Sequence, residues 1–238
     1  MKSILFDVDD TLYDQLEPFR EACKQHFHFE QLSIESLYTL SRKYSDEIFL
    51  LSENGKMSME DMQIYRIQNA MKKLGYTITD EQALDFQKTY AKNQNEIELL
   101  PYMQIVFEYC IAHKIKIGII TNGPSKHQRK KIKQLGLYKW FKNDNIFISS
   151  EVGIAKPDSG IFRFVEEKMQ LDNHQTYYVG DSFENDIIGA KQAGWKAVWC
   201  NYRNHIKDIT NYKPEFIVDD SFALMVILKN IILQSNLE

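Results

Sequence analysis

The sequence predicts an α/β fold, a parallel sheet with helices on both faces, with an all-helical segment inserted after the first strand. Three features lead there. Short β-rich apolar runs recur along the chain, helical patterns separate most of them, and one long interval, residues 15–99, carries almost no strand signal.

The first run is SILFDV, residues 3–8, which reads as a strand buried on both faces. The interval that follows reads as helices. Ser58 with Asp61, and Thr79 with Gln82, have the spacing that opens a helix, and the amphipathic run MQIYRIQNAMKKLG stops at Gly75. This predicts a small helical domain at residues 15–99, entered near Asp14 and left near Leu99 and Pro101, where it could hinge over the sheet. The other domain comprises residues 1–14 and 100–238. Its second strand is KIGIIT (116–121), followed by a helix for which Ser125 and Gln128 form a capping box and which ends near Gly136. NIFIS (145–149), TYYVGD (176–181), KAVWC (196–200) and EFIVD (215–219) complete the strands, and Leu224, Ile227, Leu228, Ile231 and Ile232 share one face of a last helix. Such parallel sheets bind ligands beyond the carboxyl ends of their strands, so the chemistry is expected there.

At 238 residues and 44% hydrophobic, the chain can bury a substantial core without staples. Its net charge of -4 disfavours an obligate nucleic-acid partner. The basic run RKKIK at residues 129–133 reads as the solvated face of its helix; the alternative is a positive potential that steers anionic substrates. The N-terminal apolar run is too short for a secretory leader, and no run reaches the roughly 18 apolar residues of a membrane span, so a cytoplasmic protein without a membrane partner is expected. Cys23, Cys110 and Cys200 lie far apart without a C-x-x-C spacing and are expected to be reduced, structural thiols.

Four stations carry candidate chemistry. Asp7, Asp9 and Thr11 form D-x-D-x-T where the first strand ends, and crowded carboxylates at the end of an apolar strand repel one another unless a cation compensates them. An EF-hand is excluded, because Thr11 and Leu12 replace its next ligand and glycine. Thr121 and Asn122 stand at the tip of the second strand, Lys156 precedes Pro157, and Asp181 and Asp186 follow the fourth strand, where Gly180 permits a close backbone approach. Each has a plainer explanation taken singly: an Asp-rich turn, an Asn-Gly turn, a surface lysine, helix-capping acids. Together, on one edge of a sheet, they supply acids for a hard cation, hydrogen-bond donors and a fixed positive charge.

In order and interval these stations resemble the four motifs of the haloacid dehalogenase superfamily, and the helical interval resembles the cap that family places between its first two motifs. The resemblance implies a Rossmann-like core, an aspartyl-phosphate mechanism and a small phosphorylated metabolite as partner. Asp7 would be the nucleophile. Asp9 would protonate the leaving oxygen and then activate water, which requires a pKa near neutrality in the complex. Mg2+ would be held by Asp7, Asp181 and the backbone carbonyl of Asp9, with Asp186 orienting a metal-bound water or Lys156. Thr121, Asn122 and Lys156 would bind the phosphoryl group.

Dehalogenase members lack an acid two residues after the nucleophile, so Asp9 argues against carbon-halogen chemistry. DVDDTLYD with GDSFENDIIGA is similar to the pyrimidine 5'-nucleotidase branch, and the implied reaction is hydrolysis of a small phosphomonoester, such as a nucleoside 5'-monophosphate. Sugar-phosphate or phosphoglycolate hydrolysis, a phosphomutase, and a non-catalytic regulator that binds a phosphorylated ligand are the alternatives. In the helical interval Phe19, Phe27, Phe29, Tyr44, Phe49 and Tyr65 are read first as core and second as platforms for a base. Two residues apart, His26 and His28 diverge on a helix and are expected to be surface or partly packed side chains. Asp10 and Asp14 are expected to face solvent or cap the turn.

Overall fold

The computed structural model describes residues 2–53, 55–204 and 211–233. The chain divides into two compact units, one comprising Met1–Asp14 and Glu98–Glu238, the other Gln15–Ile97.

The first unit is built on six parallel strands among the described residues: β1 (Ser3–Phe6), β2 (Lys116–Thr121), β3 (Ile146–Ile148), β4 (Thr176–Gly180), β5 (Lys196–Cys200) and β6 (Phe216–Val218). They lie in the order β3-β2-β1-β4-β5-β6. Chain progression reverses beside β1, the switch point at which such sheets open a crevice for a ligand. Registers Phe6↔Ile119 and Phe6↔Val179 bring the C-terminal ends of β1, β2 and β4 side by side.

Both faces of the sheet are covered, and β1 shows how. Leu5 joins an apolar cluster with Ile161, Phe162, Tyr178, Ile187 and Trp195. Its neighbour Phe6 points the other way and meets Phe107 and Phe141 edge to face at 5.4 and 6.2 Å. A strand apolar on both sides has no solvent face to select a register, so flanking helices must bury both sides.

The second unit holds four helices among the described residues: α1 (Leu16–His26), α2 (Ile34–Glu53), α3 (Met59–Lys73) and α4 (Asp80–Asn93). Ser58 caps α3 by accepting from Asp61 N, and Thr79 and Gln82 form a reciprocal capping box on α4. The core includes Phe19, Phe27, Phe86 and Tyr90, with Phe19 and Phe86 5.1 Å apart edge to face. Tyr44 and Tyr65 pack on each other at its margin, Phe49 is partly buried, and Phe29 is exposed against Tyr76. His26 bonds Thr89 at 2.7 Å, and His28 is exposed.

Among the described residues of the first unit lie six further α-helices: α5 (Met103–Ala112), α6 (Ser125–Gln134), α7 (Ser149–Val152), α8 (Ser159–Met169), α9 (Gly189–Gln192) and α10 (Ser221–Leu233). The capping box expected at α6 is not formed. Pro124 occupies the N-cap, the Ser125 hydroxyl donates to Glu151, and the Gln128 side chain is drawn away to Asp9 and to the Asn122 carbonyl. The three cysteines are free and buried. Among the described residues no helix is long and apolar enough to cross a membrane.

Candidate active site

Asp7 follows β1 directly, and its N–H continues the sheet by donating to the Val179 carbonyl at 2.9 Å. The chain then turns sharply, with Leu12 N bonded to Val8 O and Asp10 in the left-handed region at φ 55°, a conformation aspartate tolerates better than bulkier residues. The turn leaves the Asp7 and Asp9 carboxylates in different surroundings.

Lys156 dominates the first surroundings. Only 4% exposed, it directs Nζ to Asp7 Oδ1 at 2.7 Å, Asp186 Oδ1 at 2.6 Å and the Tyr178 hydroxyl at 2.9 Å. Its backbone is fixed too: Lys156 N donates to Asn122 Oδ1 at 2.9 Å, and Asn122 Nδ2 donates to Lys156 O at 2.8 Å. The Asn122 side chain therefore holds the lysine segment. Thr121 stands beside it at the end of β2, 1% exposed, with a buried hydroxyl that finds no hydrogen-bond partner among the described residues. A buried hydroxyl in that state loses water without compensation, and it suits a ligand oxygen.

Asp186 reaches this cluster from a wide π-helical turn, Phe183–Ile188, after β4. Its second oxygen accepts Ser182 N at 2.9 Å. A Cβ on Gly180 would collide with the Asp186 carboxylate, so glycine at the strand end is what lets the acid lie there. Asp7, Asp181 and Asp186 present one oxygen each within 4.8 Å of one another.

One ammonium thus bonds two carboxylates, Asp7 and Asp186, with an oxygen of a third, Asp181, close to both. Burial pushes the Asp7 carboxyl up to about 7, with Asp186 and Asp9 adding to the rise and Lys156 opposing it. Burial alone would depress Lys156, but Asp186 and Asp7 hold its ammonium well above the usual range.

Asp9 is held differently. Lys131 Nζ and the Tyr13 hydroxyl both donate to its Oδ1, the lysine at 2.6 Å, and Gln128 Nε2 donates to Oδ2 at 2.9 Å. Burial would raise this carboxyl, yet Lys131 and the three hydrogen bonds keep it well below the usual carboxylate range. The unliganded protein therefore presents Asp9 as an anion.

Two expectations are corrected here. The run at 129–133 is not a uniformly solvated face: Lys130 and Lys133 are exposed and Arg129 pairs with Glu151 at 2.7 Å, but Lys131 is buried on Asp9. Of the two readings for Asp10, exposure to solvent does not hold; it is 8% exposed and bonds Arg203 at 3.1 and 2.5 Å, while the half-exposed Asp14 takes the same guanidinium at 2.8 Å.

Lys131 and Gln128 carried a readable signal, since Gln128, Lys131, Ile132 and Leu135 are spaced i, i+3, i+4, i+7 and form the buried side of their helix. Arg203 had none, because its partner Asp10 is 193 residues away in sequence.

Residues 1–194 match the family model of haloacid dehalogenase-like hydrolases, and the chain belongs to that family. It is 42% identical to the pyrimidine 5'-nucleotidase YjjG of Escherichia coli over 119 residues, which cover 50% of this chain and 52% of that protein. Over 97% of this chain and 98% of the relative, it is 27% identical to the glyceraldehyde 3-phosphate phosphatase of Methanocaldococcus jannaschii. A solved structure of YfnB from Bacillus subtilis bound to magnesium shares the fold, with a TM-score of 0.69 at 24% identity over 95% of this chain and 98% of that one.

Proposed function

We propose that the chain is a Mg2+-dependent phosphatase that transfers the phosphoryl group of a small phosphomonoester to Asp7 and hydrolyses the resulting aspartyl-phosphate. The observation that carries this reading is the charge pattern around Lys156: three carboxylates, one ammonium and, at the same sheet edge, an unpartnered Thr121 hydroxyl. A divalent cation would balance that set, and all-oxygen donors suit a hard ion. Asp7, Asp181 and the Asp9 carbonyl would hold it, with Asp186 steering Lys156 through the bond between them. When bound, Mg2+ neutralises phosphate charge and lowers the proton affinity of Asp7.

The remaining roles belong to the chain itself. An Asp7 carboxylate oxygen forms a bond to phosphorus as the bond to the substrate's ester oxygen breaks, and a proton that Asp9 takes up from solvent on substrate binding moves to that oxygen. The arriving phosphate dianion raises the proton affinity of Asp9 by like-charge repulsion, opposing Lys131. Asp9, now a carboxylate, takes a proton from the water that attacks phosphorus and releases Asp7. Thr121 and the Asn122 backbone N–H donate to phosphoryl oxygens, and Lys156 supplies fixed positive charge. An acid at position 9 has this use in phosphoryl transfer and none in carbon-halogen hydrolysis.

The α/β unit is read as the catalytic core and the helical unit as the cap that selects the leaving group. Identity to the Escherichia coli nucleotidase favours a nucleoside 5'-monophosphate as substrate; a triose phosphate is the second reading, supported by the full-length archaeal relative. Phosphate release from a panel of nucleoside monophosphates, sugar phosphates and phosphoglycolate, with Asp7→Asn as the blank, tests both. A pyrimidine monophosphate preference is expected. Best turnover of a sugar phosphate would keep the mechanism and discard the nucleotide, and no release from any ester would discard the phosphatase.

A further inference from the structure

Lys131, Gln128 and Tyr13 belong to none of the four motif stations, yet all three converge on one carboxylate. Lys131 and Gln128 are 3% and 2% exposed, Tyr13 is 1% exposed, and their donors reach both oxygens of Asp9. Asp9 sits on a tight turn with no regular secondary structure to orient it, so its two side-chain torsions are set by what the carboxylate bonds. Donors from two chain segments, the turn itself and the helix Ser125–Gln134, fix them.

A purely structural explanation is weak on physical grounds. A buried ion pair is seldom more stable than an apolar pair of the same volume, and this one sits on a buried helix side that it shares with Gln128, Ile132 and Leu135. Gln128 is committed in the same way, since its Nε2 bridges Asp9 and the Asn122 carbonyl at 2.7 Å and so ties the turn after β1 to the tip of β2. Buried polar groups that all serve one carboxylate point to a requirement for where that carboxylate stands.

We infer that Lys131, Gln128 and Tyr13 are positioning residues that fix the Asp9 carboxyl group for proton transfer with the leaving-group oxygen. The inference rests on the phosphatase reading above and adds residues to it. It predicts an effect that depends on the leaving group. An alkyl alcohol must be protonated as it departs, whereas an activated aryl alcohol leaves as a stable anion without help.

The test compares kcat/KM, which reports the first phosphoryl transfer alone, for p-nitrophenyl phosphate and for the best alkyl ester of the substrate panel. In Lys131→Met, Gln128→Leu and Tyr13→Phe, kcat/KM for the alkyl ester should fall by about 10- to 100-fold, part of what general acid catalysis supplies. For the aryl ester it should fall by less than about threefold, and Lys131→Arg, which keeps a cationic donor, should recover part of the alkyl activity. Should Lys131→Met fail to fold, Tyr13→Phe and Gln128→Leu, which keep the ion pair, decide the matter. Equal losses on both esters, or no loss on either, would overturn the inference while leaving the phosphatase intact. A wild type that releases phosphate from neither ester would overturn both.

Discussion

Two buried lysines, Lys156 and Lys131, each hold an aspartate of the same turn, Asp7 and Asp9, at 2.7 and 2.6 Å. They are similar in geometry and opposite in charge balance. Lys156 is shared by two carboxylates, Asp7 and Asp186, with Asp181 close by, so carboxylates crowd one ammonium. Lys131 meets Asp9 with two neutral donors, Tyr13 and Gln128, and its charge is matched. An ion pair alone does not mark a ligand site; a lysine shared by two carboxylates beside a third is the stronger candidate.

That contrast can be broken most severely at Lys156. Lys156→Met removes the only cation bonded to Asp7 among the described residues, and phosphate release should fall at least about 100-fold in saturating Mg2+, the scale of losing one electrostatic stabiliser of the transition state. Steady-state kinetics checks this. At Lys131 the larger effect should be on stability: Lys131→Met strands the Asp9 carboxylate and should cost about 3 kcal/mol in denaturant unfolding, with Mg2+ affinity little changed.

Asp7 is raised by burial and by Asp186 and Asp9, so in metal-free protein it binds a proton more tightly when folded than when unfolded. The stability tied to that proton is present below the unfolded value near 3.8 and is lost as pH rises toward about 7. Mg2+ competes with the proton, so the thermal shift on adding Mg2+ should be several degrees larger at pH 7.5 than at pH 5, as melting curves would reveal. Asp9, depressed by Lys131, should contribute nothing to that difference, because it titrates well below both pH values.

The smallest effect concerns the outer edge of the turn. Arg203→Met releases Asp10 and Asp14 and should lower stability by about 1 kcal/mol, since this guanidinium is partly solvated. Chemical denaturation measures it.

What the sequence made legible follows from locality. KIGIIT and KAVWC coincide with their strands because uninterrupted apolar runs between turn signals leave little choice of boundary. Asp7 and Asp186, which follow neighbouring parallel strands, meet on Lys156 because the topology places the ends of those strands on one edge. Thr79 and Gln82 form their capping box because both partners are local, whereas the same spacing at Ser125 and Gln128 fails when Asp9, 119 residues away, takes the glutamine. Lys131 was obscured by its lysine neighbours: RKKIK reads as a charged surface unless each position is placed on the helix face it shares with Ile132.

On the proposed function, a divalent cation joins the carboxylates crowded at Lys156, and turnover depends on it. The direct measurement is phosphate release from p-nitrophenyl phosphate by chelator-stripped protein, titrated with Mg2+. No turnover before addition, saturable recovery with Mg2+ and none in Asp7→Asn are expected; full turnover in excess chelator would rule out a metal-dependent phosphatase.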